Sequence, residues 1–363
     1  MDELDIARAA INEADKEIAE QFERRMRAVR LVAEYKRERG LPIYDAEREE
    51  AVIKQNSALI KDKEKEPYYV DLIGNLMRIS RNYQSAIISG VSVAYSGVEG
   101  AFASIAAKKL FPDGRRVPCR DFAEAYGAVV SGDCECAVLP IENSFAGEVG
   151  AVIDLIFTGP LYINDVFDLT VRQNLIGVPG TTEQTVRTVV SHPQALSQCA
   201  EYIDARGYET REYSNTARAA EYVAEQKDVT LAAIGTAEAA ELYGLNVVSR
   251  NINTSVDNTT RFAVLSRTEN KSGADDNSFM LVFSVKNQAG SLAEAINVIG
   301  KYGYNMTSLH SRPMRDLPWQ YYFHVECEGR IRSAGGAVML SELSAICDKL
   351  KLVGSYKGGK ISV

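Results

Sequence analysis

Residues 8–36 read RAAINEADKEIAEQFERRMRAVRLVAEYK. Stepping through this stretch by threes and fours picks out Arg8, Ile11, Asp15, Ile18, Phe22, Arg25, Val29, Val32 and Lys36. Ile11, Ile18, Phe22, Val29 and Val32 make the apolar seam of one long amphipathic helix. Arg8, Arg25 and Lys36 interrupt that seam, and an unpaired charge on a buried face is very costly. An anion is therefore expected to meet them. Register-setting polar residues, or snorkelling side chains of a coiled coil, are the alternative.

The rest of residues 1–90 continues in the same helical texture. Gly40-Leu41-Pro42 and Glu66-Pro67 divide it into a long helix, a middle one from about Asp45 and a third from about Tyr68. The third helix places Ile73, Leu76, Ser80, Gln84 and Ile87 on one face, so two hydrogen-bonding groups break its apolar stripe. The second opens with Asp45, Arg48 and Glu49 just before Val52. Helix length bears on assembly. Arg8 and Arg25 are 17 positions apart, or about 26 Å along a straight helix at 1.5 Å per residue. If both grip one small anion, Arg8 comes from a second copy, and the domain is an intertwined dimer.

At Val91 the texture changes. Short β-rich runs (Val91–Tyr95, Ala137–Pro140, Val186–Val190, Leu231–Ile234) alternate with helical ones such as Phe102–Leu110 and Thr216–Gln226. That alternation implies an α/β domain with a largely parallel sheet over 91–267. Residues 268–277 are polar and aperiodic and read as a linker. Over 278–363 the order is βαββαβ, the ferredoxin-like arrangement. A chain of 363 residues suits such a division.

Composition excludes several classes. Apolar residues make up 46 % and charged residues 25 %, with a net charge of −8. The acidic field disfavours nucleic acid and anionic membranes as partners. No apolar run reaches the roughly 20 residues of a membrane span. The start, Met1-Asp2-Glu3-Leu4-Asp5, has neither the basic nor the apolar part of a secretory signal, so a cytoplasmic location is expected. Six scattered cysteines, with Cys134 and Cys136 the one close pair, lack a zinc pattern and read as reduced buried thiols. No metal and no cofactor is expected.

In the α/β region, Tyr95-Ser96-Gly97-Val98-Glu99-Gly100 lies between a strand and a helix, where free N–H groups can bind an anion. It lacks the third glycine of a dinucleotide fingerprint, so NAD binding is rejected. Ile141-Glu142-Asn143-Ser144, Ser191-His192-Pro193-Gln194 and Thr259-Thr260-Arg261-Phe262 sit at strand ends or loops, where such folds place ligands. His192 alone reads more readily as a turn residue than as a base. Ser191 could be only a helix cap, because Pro193 follows it. In the last region Gly290 permits a tight turn or a close backbone approach.

Arg8, Arg25, Lys36, Asp45, Arg48, Glu49, Ser80 and Gln84 together resemble the substrate-contacting set of the all-helical chorismate mutases. That resemblance implies a pericyclic rearrangement of chorismate to prephenate, needing no nucleophile, in which the enzyme holds a flexible dicarboxylate in its reactive conformer. It implies that Arg8 and Arg25 take carboxylates, since a guanidinium fork suits them. Lys36 and Gln84 would stabilise charge on the breaking ether oxygen, with Arg48 and Glu49 beside them; Glu49 must be protonated or otherwise hydrogen-bonded to help Gln84.

The Ile-Glu-Asn, Ser-His-Pro-Gln and Thr-Arg-Phe segments resemble the prephenate dehydratases, whose domain has two lobes around a cleft. The resemblance implies Thr260 at the departing hydroxyl and Arg261 on a substrate carboxylate. Glu142, Asn143, Ser144, Ser191, Gln194 and Phe262 would complete the pocket. Ala289-Gly290-Ser291-Leu292 with Ser311-Arg312-Pro313 resembles an ACT regulatory domain that binds L-phenylalanine. His310 stands where an acidic residue is expected, which leaves tyrosine open as effector.

Taken in order, the regions resemble the bifunctional chorismate mutase–prephenate dehydratases of phenylalanine biosynthesis, expected as a homodimer or higher homo-oligomer. A dehydratase with a non-catalytic helical dimerisation domain, and a cytoplasmic amino-acid-binding regulatory protein, are the competing readings.

Overall fold

The computed structural model describes residues 2–254, 258–270, 273, 275–314 and 317–357. The linker expected at 268–277 lies partly outside the described residues. Two compact units are present: one runs to Ser92 and takes in Asp113–Arg115 and Gly132–Glu135, and the other holds the remainder.

The first unit is helical. Helix α1 spans Glu3–Arg39, opened by an Asp2–Asp5 capping box and stopped at Gly40, whose φ of 62° suits a left-handed cap. Asp45 accepts from the Arg48 backbone N–H at 3.0 Å and starts α2, Ala46–Ser57. Helix α3 spans Glu66–Ser89 and has Pro67 in its first turn. Proline there begins the helix instead of preceding it, because a first-turn N–H has no partner to lose. The seam expected along α1 is covered only near its C-terminal end. Val29 and Ala33 are its buried residues, whereas Ile11 and Ile18 are each 59 % exposed.

The second unit contains three layered sheets. Its first lobe is built from β1 (Ser92–Ser96), α4 (Phe102–Leu110), β2 (Arg115–Cys119), α5 (Phe122–Ser131), β3 (Cys136–Asn143), β4 (Gly147–Glu148), α6 (Gly150–Thr158) and β5 (Tyr162–Thr170). The chain then crosses to a second lobe of β6 (Asn174–Gly177), β7 (Thr188–Ser191), α7 (Pro193–Gln198), α8 (Ala200–Asp204), β8 (Glu209–Glu212), α9 (Thr216–Gln226), β9 (Leu231–Gly235), α10 (Ala237–Leu242) and β10 (Asn246–Ser249). It returns through β11, Thr259–Ser266, which inserts between β3 and β5.

The sheet orders are β2-β1-β3-β11-β5, with β4 beside β3, and β10-β6-β9-β7-β8. The largely parallel sheet expected from alternation is in fact mixed. Strand β11 runs antiparallel to both β3 and β5, and β6 antiparallel to β9 and β10. The reason is the double crossing, since strands that enter and leave a lobe without a crossover helix pair antiparallel. The two crossings lie side by side: Val171 N–H donates to Asn258 O at 2.7 Å and Ile252 N–H to Gln173 O at 2.9 Å.

The last stretch comprises β12 (Ser278–Ser284), α11 (Ser291–Lys301), β13 (Asn305–Pro313), β14 (Tyr321–Glu328), α12 (Ala334–Ile346) and β15 (Lys349–Tyr356). Its sheet order, β13-β14-β12-β15, is all antiparallel, so the ferredoxin-like arrangement expected here is present. Phe279, Leu281 and Phe283 face α11 and α12, and every position of β12 is buried. Both faces of that strand are covered because the opposite face lies on the first lobe. There Lys351 Nζ donates to the carbonyls of Ile156, Gly159 and Leu161 at 3.0, 2.7 and 2.9 Å, closing the C-terminal end of α6. Phe157 stacks on Tyr322 at 4.0 Å.

At Gly354 the backbone comes so close that a Cβ would overlap the Ile163 carbonyl. The neighbour is main chain and cannot yield. Gly354→Ala is therefore expected to destabilise this unit by about 1–3 kcal/mol, the usual cost of overpacking. Thermal unfolding measures it, and an unchanged midpoint would contradict the close approach.

Candidate active sites

A cavity of about 380 Å³ opens among the helices of the first unit. Arg25 and Lys36 reach it from α1, Asp45 from the loop before α2, Arg48 and Glu49 from α2, and Ser80 and Gln84 from α3. Those seven are residues expected from the sequence; Arg8, exposed on the far part of α1, does not line it. Ser80 Oγ donates to Leu76 O at 2.7 Å and accepts from Arg25 Nη1. Lys36 Nζ donates to Ile43 O at 2.7 Å. Burial lowers the Arg25 pKa from its ordinary value, but arginine keeps its charge in proteins.

Gln84 is 8 % exposed, and its Oε1 has no hydrogen-bond partner among the described residues. A buried amide left so is normally costly, which marks it as a group waiting for a ligand. Sequence reading missed Arg81. Its guanidinium grips Glu49 and lies over Tyr44, 5.4 Å from the ring centroid. Arg81 falls one residue past Ser80 and off the apolar stripe, so periodicity carries no signal for it.

A second cavity, of about 500 Å³, lies between the two lobes. Asn143, Thr260 and Phe262 line it from the first lobe, His192 and Gln194 from the second. Asn143 organises its wall. Its Nδ2 donates to Thr260 Oγ1 and Asn258 Oδ1, both at 2.9 Å, and its Oδ1 accepts from the Phe145 and Ala146 N–H groups at 3.1 and 2.9 Å. Because Thr260 Oγ1 accepts from Asn143, its own proton is left to donate.

Other expected residues do not reach this cavity. Arg261 sits between Thr260 and Phe262, and strand alternation turns it to the opposite face. There it contacts Asp168 at 3.0 Å, Glu326 at 3.1 Å and Glu142 at 3.6 Å. Burial works against its charge, yet these carboxylates outweigh it and raise its pKa above the ordinary arginine value. Arg261 and Glu142, both expected on the substrate, are therefore not among the residues that line this cavity.

Ser191 is fully buried and donates to Ile234 O at 2.7 Å. Nor is it the helix cap: His192 is, its Nδ1 accepting from the Gln194 N–H at 3.2 Å. Ser144 closes the β3–β11 ladder, its Oγ accepting from the Thr259 N–H at 2.9 Å.

No lysine or arginine is among the described residues lining this cavity. Two helix starts face the cavity. The start of α4 (Ala101, Phe102, Ala103) carries no side-chain cap, and the start of α9 (Asn215, Thr216) also faces the cleft. Helix N-termini offer unpaired N–H groups and a positive dipole end.

Glu148 is the carboxylate on the wall. Burial alone would raise its pKa, but the His324 hydrogen bond and the charges of His324, His310 and Arg312 bring it below the usual carboxylate range.

In the ferredoxin-like stretch Gly290, with φ 89°, caps α11 in an exposed turn flanked by Ala289, Ser291 and Leu292. Ser311, Arg312 and Pro313 end β13, and Arg312 pairs with Tyr322, which pairs in turn with Ser284 at the end of β12. Both motifs therefore lie at one end of the sheet. Arg312 is engaged there, donating to Asp154 at 2.8 Å and to Glu148 at 3.2 Å. His310 stacks on His324 with centroids 5.8 Å apart. Burial pushes the Cys199 and Cys327 thiols up to about 12, leaving them neutral and unreactive.

Residues 7–85 match the chorismate mutase type II family and residues 93–270 the prephenate dehydratase family. A bifunctional chorismate mutase/prephenate dehydratase of Neisseria gonorrhoeae is 32 % identical over 360 residues, covering 98 % of each chain. Among solved structures, a prephenate dehydratase from Arthrobacter aurescens in complex with L-Phe is 26 % identical with a TM-score of 0.69, covering 75 % of this chain and 93 % of that one. GqqA, described as a quorum-quenching acylase, is 32 % identical with a TM-score of 0.68, covering 74 % and 98 %. Two families in tandem, matched along nearly the whole length of a relative that joins the same two activities, settle the assignment. The chain belongs to the bifunctional chorismate mutase/prephenate dehydratases, which rearrange chorismate to prephenate and convert prephenate to phenylpyruvate.

Proposed function

We propose that the helical cavity binds chorismate and the interlobe cleft binds prephenate. One observation supports the first assignment above others: eight polar residues from all three helices and one loop, Arg81 among them, converge on a cavity whose Gln84 amide oxygen lacks a partner among the described residues. Arg25 holds a carboxylate there, Lys36 and Gln84 face the ether oxygen as its bond breaks, and Arg48 and Ser80 contact the substrate. Asp45 orders the start of α2, and Glu49, gripped by Arg81, backs Gln84. Catalysis consists of holding the reactive conformer and meeting the charge that develops on oxygen.

Arg8 belongs, in this reading, to the cavity of a second copy. The support is the exposed apolar residues Ile11 and Ile18 on a helix 37 residues long. A helix with an uncovered apolar seam gains by pairing. The assembly is then at least a homodimer with two shared mutase sites.

In the cleft, prephenate lies against Phe262 with its ring hydroxyl at Thr260. Thr260 donates its hydrogen bond to the departing oxygen while Asn143 fixes the hydroxyl's direction. The bond to the ring carboxylate breaks and its electron pair enters the ring. That pair aromatises the ring as the carbon–oxygen bond breaks, and the departing hydroxide takes a proton from solvent water, relayed through the Thr260 hydroxyl, to leave as water beside carbon dioxide and phenylpyruvate. The N-termini of α4 and α9 hold the anionic ends of the substrate, and Gln194 contacts it from the second lobe.

The ferredoxin-like stretch acts as an ACT-type sensor that takes L-phenylalanine at Ala289–Leu292 and Ser311–Pro313. Support comes from the two motifs sharing one sheet end and from the L-Phe complex of the Arthrobacter enzyme. We place the domains at 1–90, 91–267 and 278–363, and the enzyme in the cytoplasm. Among the described residues no helix is long and apolar enough to cross a membrane.

Arg8→Ala in the full chain is expected to lower mutase kcat/KM by about 10²-fold or more, with dehydratase activity on supplied prephenate unchanged. Mixing Arg8→Ala with Arg25→Ala after unfolding and refolding should restore mutase to about a quarter of wild type, because half the dimers are mixed and each mixed dimer has one intact site. No recovery would place both arginines in one subunit's site. Thr260→Val should cut dehydratase kcat by about 10²–10³-fold, Thr260→Ser much less, with mutase rates equal in both. Comparable activity of the two variants would remove the hydroxyl from the mechanism. L-Phenylalanine should lower dehydratase activity in wild type but not in Gly290→Val; equal inhibition of both would exclude that turn as the effector site.

A further inference from the structure

Strand β14 presents Tyr322, His324 and Glu326 on one face, two residues apart. All three reach the first lobe. Tyr322 Oη donates to Asp154 Oδ1 at 2.6 Å, His324 Nδ1 lies 3.2 Å from Glu148 Oε2, and Glu326 accepts from Arg261 Nη1 at 3.1 Å. Arg312 on neighbouring β13 adds a second hold on Glu148 at 3.2 Å and a paired one on Asp154 at 2.8 and 3.2 Å.

These contacts bracket one hydroxyl. On one side, Glu148 belongs to β4, which pairs with β3 through Glu142↔Glu148 and Asn143↔Gly147. The turn leading into β4 donates the Phe145 and Ala146 N–H groups to Asn143, and Asn143 donates to Thr260 Oγ1. On the other side, Arg261 directly follows Thr260, and Tyr356 Oη donates to Glu326 Oε1 at 2.8 Å, fixing the carboxylate that holds it. Ala146, Gly147, Glu148 and Val149 all line the cleft, so a shift of this turn moves both the wall and the Asn143 amide.

We infer that His324 and Glu148 are positioning residues of the dehydratase reaction: the ferredoxin-like sheet sets the 145–148 turn, the turn sets Asn143, and Asn143 aims Thr260. The inference rests on the reading of the cleft as the prephenate site. Neither residue needs to touch substrate. Their effect falls on the rate with which a correctly bound substrate reacts, since small misplacement of a reacting group is enough to slow a step.

The experiment compares His324→Asn and Glu148→Gln in the full chain, each alone and each combined with Thr260→Val. Dehydratase kcat and KM are measured for prephenate, and thermal unfolding of the same preparations reports folding of the unit that carries these residues. Each single variant is expected to lose about tenfold in kcat with KM within twofold, and the double variant His324→Asn/Glu148→Gln to lose no more than either. In the Thr260→Val background neither substitution should lower the rate further, because the group being aimed is gone. A purely structural role would instead lower the rate by the same factor in both backgrounds, and that additive result overturns the inference. Unchanged kcat in both single variants, or a loss confined to KM, overturns it too. If Thr260→Val itself leaves dehydratase kcat intact, the reading of the cleft fails first and this inference falls with it.

Discussion

Arg261 ties four strands together with one guanidinium. It sits on β11 and contacts Glu142 on β3, Asp168 on β5 and Glu326 on β14. A charge taken largely out of water is tolerable only when it is paired, and removing one partner of a buried pair costs about 3–5 kcal/mol. Arg261 is about one-third exposed, so screening brings its share below that range. The geometric consequence is larger than the energy. Fixing Arg261 on one face of β11 fixes Thr260 and Phe262 on the other, and it draws the last domain onto the lobe that carries them.

That constraint leaves the cleft without a lysine or arginine among its described lining residues. The arginine next to Thr260 is taken up by three carboxylates, and the starts of α4 and α9 are the positive dipole ends that face the cleft. The N–H groups at the start of α4, which has no side-chain cap, are held by the helix itself, whereas at α9 the Asn215 side chain accepts from the Arg218 N–H. In the helical unit the opposite solution appears. Its cavity is lined by Arg25, Lys36, Arg48 and Arg81, of which Arg81 grips Glu49.

The helical site was legible because a 3.6-residue period makes exceptions conspicuous. Arg25 and Lys36 stand out where Val29 and Val32 set the rule, and Ser80 and Gln84 do the same on α3. Arg81 was not legible, since a salt bridge between two helices leaves no mark on either helix's own pattern. In the α/β region the motifs pick out Thr260 and Asn143, which line the cleft, together with Ser191 and Arg261, which do not. A motif says which residues travel together; it does not say which face of a strand each one takes.

The sequence by itself determined the helices of the first unit, the alternating α/β region and the βαββαβ order of the last, because local periodicity and turn residues encode those directly. In the first unit it also marked residue types that an apolar core would not accept. Only the tertiary structure decided that β11 returns between β3 and β5, that Arg261 turns away from the cleft, and that β14 reaches the first lobe through Tyr322, His324 and Glu326. Those facts depend on pairings between residues dozens to more than a hundred and fifty positions apart, such as Asn143 with Thr260 and Glu148 with His324. Register and long-range contact are properties of the packed chain, and no local window of sequence contains them.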